Sequence, residues 1–209
     1  MACRSPATGR ARTAILKSGG PPRKLGEGAS AKAVKMADGN LLIRSAIEAD
    51  VPHVAEIHMA SWRDAYRGVI PDAVIDARTV EGATAMWSAN LAKFPGNLTV
   101  AQIADGQIAG FSCAGSVTDH ERSGPYEFEV YALHVRPHLR RKGVGAALLD
   151  YAITRARVEL GMRSLIVWTL EDLHLSRRFY EREGGKLVKH GEWQAGGVAL
   201  PELAYGWDF

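Results

Sequence analysis

Residues 127–145 read EFEVYALHVRPHLRRKGVG and decide how this chain folds. The opening part alternates in polarity, which predicts a strand over residues 127–136. On that prediction, one face of the strand carries Glu127, Glu129, Tyr131, Leu133 and Val135. Residues 146–160 repeat apolar side chains at helical spacing, which predicts a helix. The stretch is therefore a strand, a basic glycine-bearing turn and a helix.

The turn between the strand and the helix has the composition of an anion-binding site. Residues 140–145 read RRKGVG, so three cations precede two glycines. Glycine lets backbone N–H groups approach a ligand, and a helix N-terminus adds partial positive charge. Without an anion, each cation there costs about 0.3–1 kcal/mol against the helix dipole. A pyrophosphate group fits this arrangement, and a solvated basic helix start is the alternative.

Two other nucleotide-binding motifs do not match the turn. The dinucleotide-binding fingerprint requires Gly or Ala where residues 143–148 (GVGAAL) place Leu148. The Walker A loop requires Gly-Lys followed by Ser or Thr, and the chain contains neither tripeptide. The sequence therefore favours neither class of site.

Three segments resemble one family. Residues 133–145 (LHVRPHLRRKGVG) contain the pattern Arg-x-x-Gly-x-Gly and resemble the acetyl-CoA motif of the GNAT family of N-acetyltransferases. Residues 177–185 (RRFYEREGG) resemble a later helix end of that family, and residues 61–71 (SWRDAYRGVIP) resemble the first helices of one bacterial branch. The resemblance covers residues 41–209, with the motifs in the family's order.

The resemblance implies an α/β fold and a cosubstrate. Family members have a mixed, mostly antiparallel central sheet that is flanked by helices and splayed at the acetyl-CoA site. The pantetheine arm of acetyl-CoA pairs there with exposed strand backbone. Carried over to this chain, the cofactor-binding positions are Leu133, His134, Val135, Arg140, Arg141, Lys142, Gly143, Val144, Gly145 and Ala146.

The resemblance also implies two catalytic residues. Tyr180 matches a tyrosine that gives a proton to the departing CoA sulfur, and a phenol with a pKa near 10 suits that role. The alternative for Tyr180 is simple packing of an amphipathic ring on the sheet. Glu129 matches a base that acts on the amine through water. A solvated acid, or a ligand for a cationic substrate, is the alternative for Glu129.

Four further residues are candidates for binding the acceptor: Trp62, Tyr66, Glu127 and Tyr131. Trp62 and Tyr66 lie four apart and share a helix face, which the resemblance places on the acceptor pocket, although packing competes as the role of Trp62. Glu127 and Glu129 could hold a cation or raise each other's pKa. Leu173 departs from the family, since an Asn that contacts the cofactor arm is usual there. The lost contact is worth roughly 0.5–1.5 kcal/mol.

The positive charge of the chain is concentrated near its start. The 209 residues carry a formal net charge of +3, but residues 1–35 hold eight Lys/Arg against one Glu. The rest of the chain therefore has a net charge of −4, so the overall basicity does not indicate nucleic-acid binding. We expect residues 1–38 to be a disordered extension, dispensable through residue 35, and residues 39–209 to be one acetyltransferase domain.

Composition limits the other partners. No run approaches 18 apolar residues, so no membrane partner is expected. Two cysteines, Cys3 and Cys113, offer no disulfide framework, which fits a reducing, cytoplasmic location. Cys113 is expected to be a small core residue. The seven histidines form no metal-binding pattern, so no metal is expected.

The predicted order of elements is β-αα-β-β-β-α-β-α-β-β. Asp50 is expected to cap the first helix through its side chain. Asp105-Gly106 is expected to form a hairpin turn. The remaining predicted strands cover residues 41–44, 98–104, 107–117, 164–169, 186–193 and 200–207, and the remaining helices cover residues 80–93 and 173–183.

These observations predict an acetyl-CoA-dependent N-acetyltransferase. We expect direct transfer of the acetyl group to a primary amine, on a small molecule that is more plausibly cationic than anionic. Acetylation of a protein N-terminus or of lysine is the alternative enzymatic activity. A non-catalytic acyl-CoA-binding regulatory module is the alternative outside enzymes, since Leu173 departs from the family. Homodimers are common in the family, so a homodimer is compatible with the resemblance.

Overall fold

The computed structural model describes residues 31–36 and 39–209. Its strands are β1 (Lys32–Met36), β2 (Gly39–Ser45), β3 (Leu98–Ile103), β4 (Ile108–Ser116), β5 (Phe128–Val135), β6 (Ser164–Leu170), β7 (Lys186–Ala195) and β8 (Val198–Asp208). They form one sheet in the order β1-β2-β3-β4-β5-β6-β8-β7. Every neighbouring pair is antiparallel except β5 and β6, which are parallel. The predicted mixed, mostly antiparallel α/β sheet is confirmed.

Helices cover both faces of the sheet. They are α1 (Val51–Ala65), α2 (Asp72–Asp76), α3 (Val80–Lys93), α4 (His120–Ser123), α5 (Val144–Thr154) and α6 (His174–Arg182). The core between the sheet and the pair α1 and α3 contains Trp87 and Phe111, both fully buried. The core under α5 contains Phe128 and Leu149, which are as deeply buried. Both cores meet strand β5, so β5 is packed from both sides.

A β-bulge in β5 divides the strand into two halves. Cys113 pairs with Ala132 and Ala114 pairs with Val130, so Tyr131 is an extra residue that faces no partner on β4. Such an insertion bends a strand and interrupts the alternation of its side chains. The prediction that all odd residues of this strand share one face is therefore wrong. Before the bulge Glu129 faces the α1 side, and after it Leu133 packs on the α5 side.

Most predicted elements agree with the structure, and Asp50 is a correction. Helix α3 has the predicted bounds, and the Thr79 hydroxyl accepts the Gly82 N–H at 3.0 Å to cap it. Asp50 stands at the N-cap of α1 but makes no side-chain cap. Its carboxylate instead accepts two hydrogen bonds from Arg44, at 2.7 and 2.9 Å, and one from the Ile47 N–H at 2.8 Å. Arg44, six residues earlier on β2, outcompetes the helix amides for this carboxylate.

The sheet begins before the predicted domain boundary at residue 39. Strand β1 lies inside the segment that we assigned to the extension, yet it pairs along β2 from Lys32 to Met36. Lys32 Nζ also lies 2.5 Å from an Asp150 carboxylate oxygen on α5. A polar composition with two lysines in five residues concealed this edge strand, because only one of its faces meets the protein. Residues 1–30 and 37–38 of the predicted extension, including Cys3, lie outside the described residues.

Candidate active site

The turn before α5 has the backbone of an anion cradle. Arg141 has a φ of 61° and Gly143 a φ of 85°, so the chain passes twice through the left-handed region before the helix begins. The N-cap residue of α5 is Gly143, which has no side chain to cap the helix. The first N–H groups of α5 therefore point at a space bordered by the cations of residues 140–142. A Cβ at Gly143 would lie 2.9 Å from Met36 Cε, so β1 reaches this turn.

Close packing ties the cradle to strand β5 and helix α6. A Cβ on Gly145 would lie 3.5 Å from the Phe179 ring and 3.7 Å from Leu133 Cδ2. Leu133, Val135 and Val144 belong to one apolar cluster. Arg140 pairs with Asp64 on α1, so one cation of the turn also bridges to the opposite face of the sheet. The turn is thus held at the end of β5.

Strand β5 has an open edge next to the cradle. Its parallel pairing with β6 covers Phe128–Val130 opposite Leu165–Val167 and goes no further within the described part of the chain. Residues 131–135 remain paired with β4 on their other side. Their backbone groups that face β6 are left for another partner. The bulge at Tyr131 stands where the two strands separate.

A cavity of about 120 Å³ opens on the α1 side of this separation. Its walls come from α1, β5, β6 and the β7–β8 hairpin. Trp62 of α1 and Tyr66, the residue that follows this helix, stack with ring centroids 4.8 Å apart. The Arg78 guanidinium lies 3.8 Å from the centroid of the Trp62 ring. Burial raises the pKa of Tyr66 to about 12. The other aromatic walls are Tyr131, Trp168 and Trp193.

One guanidinium and two carboxylates form the charged part of the cavity. Arg122 reaches Glu202 through two hydrogen bonds of 2.8 and 3.2 Å and reaches Glu129 through one of 3.2 Å. The Ser123 hydroxyl donates to the other oxygen of Glu129 at 3.1 Å. Both carboxylates are 5% exposed, so the cluster has a net charge of −1 when ionised and little water around it. Burial raises the pKa of Glu129, and Arg122 opposes that shift.

Tyr180 lies on α6 beside the separated strands. Its ring is 7% exposed and packs in the cluster that includes Val130, Val167 and Leu133. Burial raises the pKa of its phenol above the ordinary value, and the Tyr66 phenol adds to that shift. A raised pKa keeps the proton on the phenol through the neutral range. Tyr180 therefore keeps its proton beside the strand opening, and its role as a proton donor stays a prediction.

His58 and His134 complete the wall between α1 and β5. Their ring centroids are 5.3 Å apart, and both rings pack on Phe111. His58 Nδ1 accepts a hydrogen bond of 3.2 Å from the Trp87 indole N–H. Burial lowers the pKa of His58 to about 2 and that of His134 to about 4. Both imidazoles are therefore neutral at working pH.

The structure brings most of the predicted site residues together. The cradle residues and Leu133, His134 and Val135 adjoin the open edge, and Trp62, Tyr66, Glu129 and Tyr131 line the cavity. Glu127 is the exception and a correction. It lies before β5, where Arg163 binds its carboxylate through the backbone N–H at 2.8 Å and the guanidinium at 2.8 and 3.1 Å. Arg163 therefore balances the charge of Glu127 at this end of the sheet, outside the cavity.

Sequence reasoning missed several residues of the cavity wall, among them His58, Arg122, Trp168, Trp193 and Glu202. Glu202 carried a usable signal, because it is an acid within an otherwise apolar terminal strand. Arg122 carried none, since it lies in the short polar helix α4, which only the tertiary fold brings to β5. Leu173 is buried beside Trp62 and Leu170, so this departure from the family packs against the acceptor side.

Residues 54–185 match the model of the acetyltransferase (GNAT) family. This chain belongs to the GNAT family. Uncharacterized N-acetyltransferase YuaI of Bacillus subtilis is 27% identical to it over 165 residues, covering 79% of this chain and 91% of that protein. The chain is also similar in fold to a GNAT-family acetyltransferase from Bacillus anthracis, with a TM-score of 0.64, 18% identity and coverage of 85% of this chain and 97% of that one.

A complex shows the same fold with the expected ligand. The PaiA N-acetyltransferase from Thermoplasma acidophilum, solved with coenzyme A, matches with a TM-score of 0.57 and 18% identity, covering 78% of this chain and 97% of that one. Membership in the GNAT family makes this chain an N-acetyltransferase that uses acetyl-CoA as its cosubstrate. The uncapped helix start, the left-handed turn and the open strand edge fit the pyrophosphate and the extended arm of that molecule.

The described residues hold no helix long and apolar enough to cross a membrane. The same part of the chain holds no group of three or more His, Cys, Asp or Glu placed to bind a metal ion. Cys113 is buried, and burial raises its pKa to about 12. Its thiol therefore stays protonated, and the prediction that Cys113 is a core residue is confirmed.

Charge reversal in the cradle tests the pyrophosphate assignment. Arg141→Glu is expected to weaken CoA binding about tenfold or more, because charge-assisted hydrogen bonds contribute roughly 1.5–3 kcal/mol each. The KM of the acceptor is expected to change little. Calorimetric titration with CoA measures the first effect and steady-state kinetics the second. Arg157→Glu makes the same charge change at an exposed position beyond the far end of α5 and serves as the control. Equal losses for CoA and acceptor would contradict the assignment.

Proposed function

We propose that this GNAT enzyme transfers the acetyl group of acetyl-CoA directly to a primary amine of a small cationic molecule. The observation that carries the proposal is the cavity beside the open edge of β5, with its aromatic walls and its buried cluster of net charge −1. A buried negative charge stabilises an ammonium group, and aromatic faces attract cations. A volume of about 120 Å³ accommodates an amine head.

Glu129 is the proposed base. Its carboxylate lines the cavity, and one of its oxygens accepts from a hydroxyl while the other accepts from Arg122, so each oxygen keeps a free lone pair. Through a water molecule it takes one proton from the bound ammonium, which makes the nitrogen nucleophilic. A raised pKa brings Glu129 closer to the range in which a base works efficiently.

Tyr180 is the proposed acid. The amine nitrogen forms a bond to the acetyl carbon as the bond from that carbon to sulfur breaks, and Tyr180 gives its proton to the departing thiolate. The ammonium loses two protons in total. One leaves by way of Glu129, and the other replaces the proton that Tyr180 has given away. The products are the N-acetylated amine and CoA.

The cofactor side is assigned to the residues that the resemblance names. Residues 140–146 supply cations and helix N–H groups for the pyrophosphate, and residues 133–135 supply backbone groups for the extended arm. Trp62, Tyr66 and Tyr131 form the acceptor walls together with Trp168 and Glu202. We place the enzyme in the cytoplasm on the ground of its cysteine usage.

An acceptor screen tests the substrate class. Release of free CoA is measured with primary amines of different charge and with peptides that carry a free N-terminus or a lysine. We expect small cationic amines to be acetylated. Glu202→Gln is expected to raise the KM of these amines about tenfold, since it removes one of the two buried carboxylate charges. Glu171→Gln, at a partly exposed glutamate outside the cavity, is the control. Turnover of peptides alone would overturn the small-molecule assignment, and CoA binding without turnover of any amine would overturn the activity.

The pH dependence of kcat tests the two catalytic roles. Glu129 accepts a proton only as a carboxylate, so activity falls as the pH drops through its pKa. The pH profile of kcat therefore has an acid limb, the range in which kcat falls as the pH drops. Because burial raises the pKa of Glu129, this limb lies above the ordinary glutamate pKa of 4.5. Glu129→Gln is expected to lose this limb and to lower kcat by about 10²-fold or more. Tyr180→Phe is expected to lower kcat and to keep the limb. A Glu129→Gln enzyme with the original limb and rate would contradict the base assignment.

A further inference from the structure

The His58 imidazole carries a buried N–H group that has no partner. Its Nδ1 accepts from the Trp87 indole, so the ring proton resides on Nε2. His58 is 1% exposed, and Nε2 makes no hydrogen bond within the described residues. A buried donor without an acceptor costs roughly 1–3 kcal/mol. His58 lines the cavity, so a ligand bound there could accept the hydrogen bond that Nε2–H lacks.

The position of His58 links the cavity to the open strand edge. The ring lies 5.3 Å from the His134 ring and forms edge-on contacts with Trp62 and Trp87. His134 belongs to the half of β5 that follows the bulge and is one of the residues assigned to the arm of acetyl-CoA. His58 therefore stands on the wall where the acetyl end of that molecule and the acceptor amine meet. The surrounding rings leave it few alternative rotamers.

The chemistry of the acceptor amine and of acetyl-CoA decides which atom can accept a hydrogen bond from the His58 Nε2–H. The attacking amine needs its lone pair for the acetyl carbon, so a donor directed at the nitrogen would slow the reaction. The acetyl oxygen accepts hydrogen bonds and gains negative charge as the amine attacks. Glu129 and Glu202 lie in the same cavity and disfavour that charge. A neutral donor counteracts them without repelling a cationic substrate.

We propose that His58 is a catalytic residue that donates its Nε2–H to the acetyl oxygen and stabilises the charge that develops there. The imidazole keeps its proton throughout, so no proton is transferred and the balance of the reaction is unchanged. Trp87 holds the ring in the tautomer that makes this possible. The inference rests on the proposed function in taking the cavity as the place where the acceptor amine meets the acetyl group.

The infrared carbonyl stretch of bound acetyl-CoA tests the proposal without any acceptor. With carbonyl-¹³C acetyl-CoA, we expect binding to the unmodified protein to lower the frequency, because a hydrogen bond weakens the C=O bond. His58→Phe keeps a ring and removes the donor, and it is expected to abolish the shift. His58→Gln returns an amide N–H near the position of Nε2 and is expected to restore part of it. His53→Gln, at an exposed position on the same helix, is the control.

Kinetics provide the second readout. Loss of one such donor costs about 10²–10³ in kcat in well-studied acyl-transfer sites, so His58→Phe is expected to lower kcat by about 10²-fold. CoA affinity is expected to stay within about threefold, since CoA lacks the acetyl oxygen. An unchanged carbonyl frequency in folded His58→Phe protein would overturn the proposal, and so would a loss confined to the KM of the acceptor. Failure of every amine as acceptor would instead count against the proposed function and leave the infrared result intact.

Discussion

The separation of β5 from β6 after Val130 is the constraint on which the rest of the structure depends. The extra residue Tyr131 bends β5 at the place where its parallel pairing ends. Backbone groups of residues 131–135 then face an opening, and unpaired backbone groups are costly unless a ligand or water satisfies them. The same bend exchanges the two faces of the strand. It directs Glu129 and His134 to one side and Leu133 to the other, so the aromatic cavity and the basic turn, which we propose to hold the acceptor and the cofactor, lie on either side of one strand.

The two ends of this opening carry opposite charges, which in the proposed function select the two substrates. The cradle of residues 140–142 is cationic and meets an uncapped helix start, which suits a pyrophosphate. The cavity holds Arg122 between Glu129 and Glu202 and keeps a net negative charge, which suits an ammonium group. Neither site takes its charge from the chain as a whole, since the positive charge is concentrated in residues 1–35 and the remainder is acidic. The local arrangement of charged residues, rather than the net charge of the chain, therefore accounts for the positive turn and for the negative cavity.

Local sequence predicted what depends on local interactions. The strand and helix around residues 127–160, the exact bounds of α3 and the Asp105-Gly106 hairpin follow from periodicity and turn chemistry, and the structure has them. The bulge at Tyr131 was invisible, because it arises from register against β4, and it is why Leu133 was wrongly placed on the face of Glu129. Glu127 leaves the site for another reason, because it lies before β5 and pairs with Arg163. Arg122 and His58 were missed for the same reason as the bulge. Arg122 acquires its role from Glu129 and Glu202, and His58 acquires its role from Trp87. All three partners lie more than five residues away along the chain.

Hydrogen–deuterium exchange of the β5 amides tests the central claim most directly, because it asks whether acetyl-CoA occupies the separation between β5 and β6. Exchange is followed by mass spectrometry with and without acetyl-CoA. The account predicts slower exchange on binding in peptides that cover residues 131–135 and residues 141–147, with no change in the β7–β8 hairpin around Trp193. Protection of the turn alone, with residues 131–135 exchanging at the same rate in both states, would contradict it.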